Sequence, residues 1–275
     1  MRRAPVLLYL LLACFVPPSA AQSDTSAEPA ANPARPTVST PATLTPVGYL
    51  QFETGFLGAQ HSPGLASQYS VNEVMKINVA RRFQLLALSQ PCARSHESLE
   101  SSNAAGDTSL GVQALLVPGH GAAPTLATSY FHRVYAGNTP DLDVGSPSNS
   151  VEILASADVK GFHYDANAMF NELSDESIRK AQFGQSLSVS HPLYKAWTLD
   201  GEVWHFSQPF LHGDAVGNLW AVSYTARKNL VFDAGFDRGL TSTSTQWEWF
   251  AGFTYLLPID SGENRDRAVH FGPAV

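Results

Sequence analysis

Twelve segments of this chain alternate in hydropathy with a period of two, and most of them run 10–12 residues. Period-2 alternation marks a β-strand whose two faces meet different surroundings. Length narrows the choice further. Soluble strands average about 5–6 residues, whereas a strand tilted across a bilayer needs about 9–11. The segments lie near 47–57, 69–80, 82–89, 106–117, 124–135, 150–160, 162–171, 181–191, 195–206, 216–225, 229–237 and 245–257. In the last, Trp247, Trp249, Ala251, Phe253, Tyr255 and Leu257 share one face and Gln246, Glu248, Phe250, Gly252, Thr254 and Leu256 the other. The first face carries rings towards both ends and smaller groups between them.

The connections sort as regularly as the strands. Long polar stretches (58–68, 90–105, 136–149, 172–180, 207–215, 238–244) follow the odd-numbered segments. Short turns (81, 118–123, 161, 192–194, 226–228) follow the even-numbered ones. Long loops at one end, short turns at the other and an even strand count are the pattern of an up-and-down antiparallel transmembrane β-barrel. The competing reading is a soluble β-sandwich or a lipocalin-like barrel with the rings as ordinary core.

The N-terminus supports export. Arg2 and Arg3 precede an apolar run from Val6 to Val16, and Ser19, Ala20 and Ala21 offer a cleavage site before Gln22. This reads as a signal peptide over 1–21. In the alternative, Leu11, Leu12, Ala13 and Cys14 form a lipoprotein box with Cys14 lipidated. With the signal removed, Cys92 is the only cysteine and no intrachain disulfide is available. Lys plus Arg then falls from 17 to 15 against 24 Asp plus Glu, a formal net charge of −9. Such a balance excludes a nucleic-acid partner that needs a basic surface. Residues 22–46 are rich in Ala, Pro, Ser and Thr and read as a flexible leader. The barrel then occupies 47–257, and 258–275 form a polar tail.

Parity assigns the side chains. The polar face, expected to line the lumen, carries Glu53, Lys76, Asp107, Arg133, Glu152, Asp158, Lys160, His163, Asp165, Asp200, Glu202, Asp233, Asp237 and Glu248. Acidic groups outnumber basic ones there. That set either satisfies itself as a network or lines a pore that favours cations and polar solutes. The apolar face carries Trp197, Trp220, Tyr224, Trp247, Trp249, Phe253 and Tyr255, expected at the membrane interfaces.

Several motifs carry a resemblance. GDTSLGVQALL (residues 106–116), FDAGFDRGL followed by WEWFAGFTYLL (232–257), and VGYLQFETGF (47–56) resemble, respectively, the Gly-Asp-x-x-Leu-Gly strand, the closing hairpin and the first strand of the family named for the MetA pathway of phenol degradation. In that closing hairpin an Asp-x-Gly strand turns into a final Gly-x-x-Tyr strand. Glu53 stands at the acidic position of the first strand. The chain departs from the pattern in its tail after Leu257. The resemblance implies an outer-membrane, transporter-like barrel, sometimes found near aromatic catabolism, and does not imply an enzyme.

Signatures of chemistry are sparse. The sequence has no Gly-x-Ser-x-Gly elbow, Walker loop or Cys-x-x-Cys. His96 to Glu100 begins like a zinc-protease helix but lacks the second His, and His205 and His212 lack a third ligand. No catalytic residue, cofactor or metal is expected. The expected partners are outer-membrane lipid and small-molecule solutes, and no feature fixes an oligomeric state. The function expected is a channel or transporter-like barrel for small molecules, aromatic or hydrophobic compounds among them. The alternative is a non-conducting outer-membrane surface protein whose long loops bind partners. A soluble exported β-sandwich and an outer-membrane enzyme with a Ser/His site stand behind these.

Overall fold

The computed structural model of this chain describes residues 29–97, 100–140, 142, 146–175 and 178–259. The expected signal at 1–21, residues 22–28 of the leader and the tail from 260 onward lie outside the described residues. Among the described residues every regular element is a strand. They are β1 (Tyr49–Gln60), β2 (Ser67–Ala80), β3 (Phe83–His96), β4 (Ser101–Ala104), β5 (Thr108–Val117), β6 (Thr125–Tyr135), β7 (Ser146–Val159), β8 (Phe162–Asp175), β9 (Ile178–Tyr194), β10 (Trp197–Gln208), β11 (Gly213–Arg227), β12 (Leu230–Gly239) and β13 (Trp247–Pro258).

Twelve of them close into an antiparallel barrel. Each pairs with its neighbours in chain order, and β1 pairs with β13 from Tyr49 opposite Pro258 to Gln60 opposite Trp247. Closure leaves none of these twelve as an edge strand, the condition for a sheet to cross lipid. The thirteenth strand, β4, pairs only with the loop end of β3.

The strands outrun their apolar alternation at the loop end. β3 continues to His96, and β8 reaches Asp175, paired with Ile178 of β9. Much of the stretches expected as loops at 90–105 and 172–180 is therefore strand. Those residues are mostly polar and lack a sustained alternation, so nothing in their hydropathy separates a strand from a loop.

At the opposite end the hairpins are tight. Lys160 and Gly161 take φ of 51° and 85°, the positive pair of a type I′ turn that matches strand twist. Lys160, expected on the lumen face, thus stands exposed in the turn. The φ > 0 requirement ends the strand one residue earlier than the alternation suggests.

The two faces separate as parity requires. Outward side chains are apolar and open: Phe56, Leu85, Leu110, Ile153, Phe170, Val203, Trp220 and Phe232 are all 44–58 % exposed. A band of such residues around the whole barrel exceeds any patch a soluble monomer leaves open, and it is the surface a bilayer covers. Inward side chains on the same strands are buried and mostly polar, among them Gln51, Glu53, Gln84, Gln113, Ser129, Asn167, Ser188 and Thr254. Apolar packing inside includes two small clusters, Ala42 with Ala127 and Leu154, and Leu219 with Ala221, Phe250 and Leu57.

Candidate functional site

The lumen is not empty. Residues 29–46, expected to be flexible, run inside the barrel, and Ser39, Ala42 and Thr45 are at most 1 % exposed. The expectation weighed only apolar burial. Pro29, Pro33, Pro36, Pro41 and Pro46 keep the segment extended and remove five backbone donors, and its short side chains leave the remaining backbone polar groups accessible. Long polar side chains of the wall satisfy those groups.

The segment enters at the turn end, where the Ala31 amide donates to the Lys228 carbonyl at 2.8 Å. Asn32 and Gln51 exchange two hydrogen bonds, amide to Oε1 at 2.8 Å and Nε2 to carbonyl at 2.6 Å. Two wall carboxylates then each receive a pair of successive backbone amides. Glu53 accepts from Ala34 at 3.1 Å and Arg35 at 3.2 Å. Glu202 accepts from Val38 and Ser39, both at 2.6 Å, and from the Ser39 hydroxyl at 2.5 Å. Charge-assisted bonds of this kind are about twice as strong as neutral ones.

Further along, the Ala42 amide donates to Ser156 Oγ at 2.8 Å, and Ser156 donates to Asp165. Gln113 donates to the Pro41 carbonyl at 3.0 Å. The Thr45 amide and hydroxyl donate to Gln84 at 2.9 and 2.6 Å, and Asn78 donates to the Thr45 carbonyl. The segment therefore crosses the lumen and returns to β1 at the turn end.

Two cations offset two of the carboxylates around it. Arg35, its one charged residue within 29–46, pairs with Asp233 at 3.1 Å. Lys76 pairs with Glu53 at 2.5 Å, both almost wholly buried. The Arg35 guanidinium lies on a floor made by Gly55 and Gly252, which are paired across β1 and β13. A Cβ at Gly55 would come within 2.2 Å of Arg35 Cζ. Glu53, Asp233 and Gly252 converge on Arg35.

The remaining expected lumen residues divide by height. Asp200 accepts from the hydroxyls of Ser190 at 2.7 Å and Ser223 at 2.9 Å. His163 joins Asp165 at 3.2 Å and Asp158 at 2.8 Å, with Asp158 exposed at the turn-end rim. Glu152 shares the inward parity of Leu154 and Ser156. Asp107 and Arg133 pair at 2.9 Å near the loop end, away from the segment. Asp237 and Glu248 face each other across β12 and β13.

Those last two line a cavity of about 130 Å³ on the loop side of the segment. Its floor is Arg35 to Val38, and Leu57, Leu219 and Phe250 give it an apolar wall. The Trp204 indole donates to Asp237 at 2.6 Å. A small molecule reaching the lumen from the loop end meets this recess before it meets the segment. Among the described residues no group of three or more His, Cys, Asp or Glu is arranged to hold a metal ion.

The aromatic set faces outward at both ends. Trp197 and Tyr224 pair near the turn end with centroids 4.8 Å apart. Trp247 and Trp249 stack at 6.5 Å near the loop end, where the Arg238 guanidinium lies 4.7 Å over Trp247. Trp220 is 49 % exposed, and Phe253 and Tyr255 lie outward on β13.

Sequence reasoning missed the segment itself. Its one usable signal is Arg35, a single cation in an otherwise uncharged stretch, set against a lumen face rich in carboxylates.

No family model and no curated protein matches the chain. Solved structures do. The COG4313 outer membrane channel from Pseudomonas putida F1 superposes with a TM-score of 0.54 at 12 % identity, over 77 % of this chain and 96 % of that one. The NanC porin superposes with a TM-score of 0.52 at 10 % identity, over 75 % of this chain and 98 % of that one. At these identities the likeness is one of fold, and the fold is that of outer-membrane β-barrels.

Proposed function

We propose that this protein is an outer-membrane channel for small molecules whose conductance is set by its own residues 29–46. The observation that carries the reading is a closed barrel, apolar outside and polar inside, with a recess on the loop side floored by the inner segment. The likeness in fold to an outer membrane channel and to a porin supports it. The recess suggests the solute class. An apolar wall of Leu57, Leu219 and Phe250 beside Asp237, Glu248, Asn72 and Thr37 suits a small molecule with a ring or short alkyl body and a polar end. An engineered apolar cavity of about 150 Å³ holds benzene, so the volume is of the right order. This agrees with membership of the phenol-degradation family, which belongs to the same proposal.

A second reading has its own support. The contacts along residues 29–46 favour a non-conducting barrel that serves as a surface or structural protein through its loops. Single-channel recording in planar bilayers separates the two. Protein lacking residues 22–46 should conduct in larger steps than the intact chain, and a small aromatic solute should reduce current from the loop side. Silence from both proteins would establish the structural reading.

A further inference from the structure

The outer wall is notched near its loop end. Gln90 and Pro91 of β3 stand together opposite Asn72 of β2, a bulge that breaks the register between Val71 and Glu73. Proline brings no amide to the ladder. Pairing of β3 with β5 stops at Ser89 opposite Thr108, and β4 takes over from Ala93 onward. The result is a groove of about 450 Å³ on the outward face, lined mainly by Phe56, Tyr69, Val71, Pro91, Cys92 and Arg94.

Three features of this groove point to one occupant. The first is height. Arg94 faces outward two residues from the loop end of β3, and Trp249 of the loop-end aromatic belt stands two residues from the loop end of β13. Such belts sit at the level of lipid headgroups. The second is charge. Arg94 is the one charged side chain of the groove, is exposed, and makes no ion pair or hydrogen bond among the described residues. A guanidinium offers a planar fork of donors to phosphate, and Asn103, paired with Arg94 across β3 and β4, can add an amide donor. The third is shape. The rings of Phe56 and Tyr69 stack with centroids 6.1 Å apart and 19° between planes, a flat apolar bed below the cation.

We propose that the groove binds an anionic, phosphate-bearing lipid of the outer leaflet, its headgroup on Arg94 and an acyl chain along Phe56, Tyr69 and Val71. The opposite orientation is disfavoured by Glu73, whose carboxylate lies one outward step below Val71 and is held by Ser89 at 3.4 Å. The inference rests on reading the outer wall as lipid-facing.

Native mass spectrometry of the protein purified from membranes tests it, with phosphatidylglycerol or phosphatidylcholine added to the detergent micelles. One phosphatidylglycerol should stay bound under activation that strips phosphatidylcholine. Arg94→Ala should lower that retention at least tenfold, Arg94→Lys should restore part of it, and Val71→Phe, which fills the groove with another apolar group, should also abolish it. Millimolar inorganic phosphate should not displace the lipid. Retention of both lipids alike, indifference to both Arg94→Ala and Val71→Phe, or displacement by inorganic phosphate would overturn the site. The heat-dependent shift of a folded barrel on a denaturing gel is the control. Its absence in the wild type would sink the membrane reading as well, whereas a normal shift with lipid retention independent of Arg94 would sink the lipid site alone.

Discussion

Arg35 and Asp233 are 198 residues apart in the chain and meet in a two-point ion pair, Nη2 to Oδ1 at 3.1 Å and Nε to Oδ2 at 3.3 Å. The pair spans two parts of the molecule with different tasks. Asp233 belongs to the wall, and Arg35 to the segment that fills it. Glu53 completes the arrangement, because it binds the Arg35 amide on one side and Lys76 on the other. Removing either ion partner leaves a buried charge without compensation, and that loss exceeds the net worth of the intact pair.

The first prediction follows from that asymmetry. Asp233→Ala and Arg35→Ala should each destabilise the barrel by about 2–4 kcal/mol, somewhat below the 3–5 of a fully buried pair because Arg35 keeps some solvent contact. The double variant should cost less than the sum, with a coupling of at least about 1 kcal/mol. Both single variants should raise channel conductance, because the segment loses an anchor while the wall keeps its twelve strands. Denaturant unfolding in micelles and bilayer recording check the two halves. Strict additivity would mean that the pair contributes nothing to holding the segment.

Gly55 and Gly252 allow a sharper comparison. Gly55→Ala would place its methyl against the guanidinium of Arg35, the movable end of a long side chain, so the ion pair should break while β1 stays in register. It should reproduce the conductance of Arg35→Ala and add little to it when the two are combined. Gly252→Ala would instead meet the Thr54 backbone carbonyl at 2.5 Å and Gly55 Cα at 2.9 Å, neither of which can move away. It should lower stability by more than Gly55→Ala and reduce folded yield. Heat-shift gels on the two variants rank them, and the reverse ranking would contradict the packing described.

The sequence makes the wall legible for a simple reason. On β13 Trp247, Trp249 and Ala251 are exposed while Phe250, Thr254 and Leu256 are buried, as two-residue periodicity requires. The same rule placed Asp165, Asp200, Glu202 and Asp233 on the inward face. It was blind where alternation stops. The ends of β3 and β8 carry mostly polar residues with no sustained alternation, and the turn at Lys160 obeys backbone torsion instead of hydropathy. Residues 29–46 have no periodicity to read. Their structure comes from backbone groups bonded to Glu53, Gln84, Gln113, Ser156 and Glu202, partners far from them in the chain.

The third prediction concerns orientation. In a Cys92-free background, single cysteines at Asn138 or Leu211, in loop-end connections, should react with an impermeant thiol reagent on intact cells. Cysteines at Gly161 or Lys228, in turn-end connections, should react only after the outer membrane is permeabilised. The reversed pattern would invert the barrel, and equal labelling of all four would remove the case for a spanning wall.

The last prediction uses the outer wall itself. Ala251 faces outward near the middle of β13, opposite Phe56 on β1 and Ala234 on β12, so its surroundings are lipid and apolar side chains. Ala251→Arg should cost roughly 2–4 kcal/mol, the penalty for a cation near the bilayer midplane. Glu248→Gln, on the inward face, should cost far less because it exposes no charge to lipid. Glu73 supplies the converse case. It lies outward between Val71 and Met75, within the apolar band, with the Ser89 hydroxyl as its hydrogen-bond donor. An acidic group there costs less than a cation but still costs, so Glu73→Leu should stabilise the barrel by about 1 kcal/mol. Reversible unfolding in lipid vesicles measures all three. A stabilised Glu73→Leu together with a crippled Ala251→Arg would identify lipid as the solvent on both strands. If Glu73→Leu instead destabilises by more than about 1 kcal/mol, the carboxylate is holding β2 to β3 beside the bulge, and the wall at that point is built on a polar contact and not on burial in lipid.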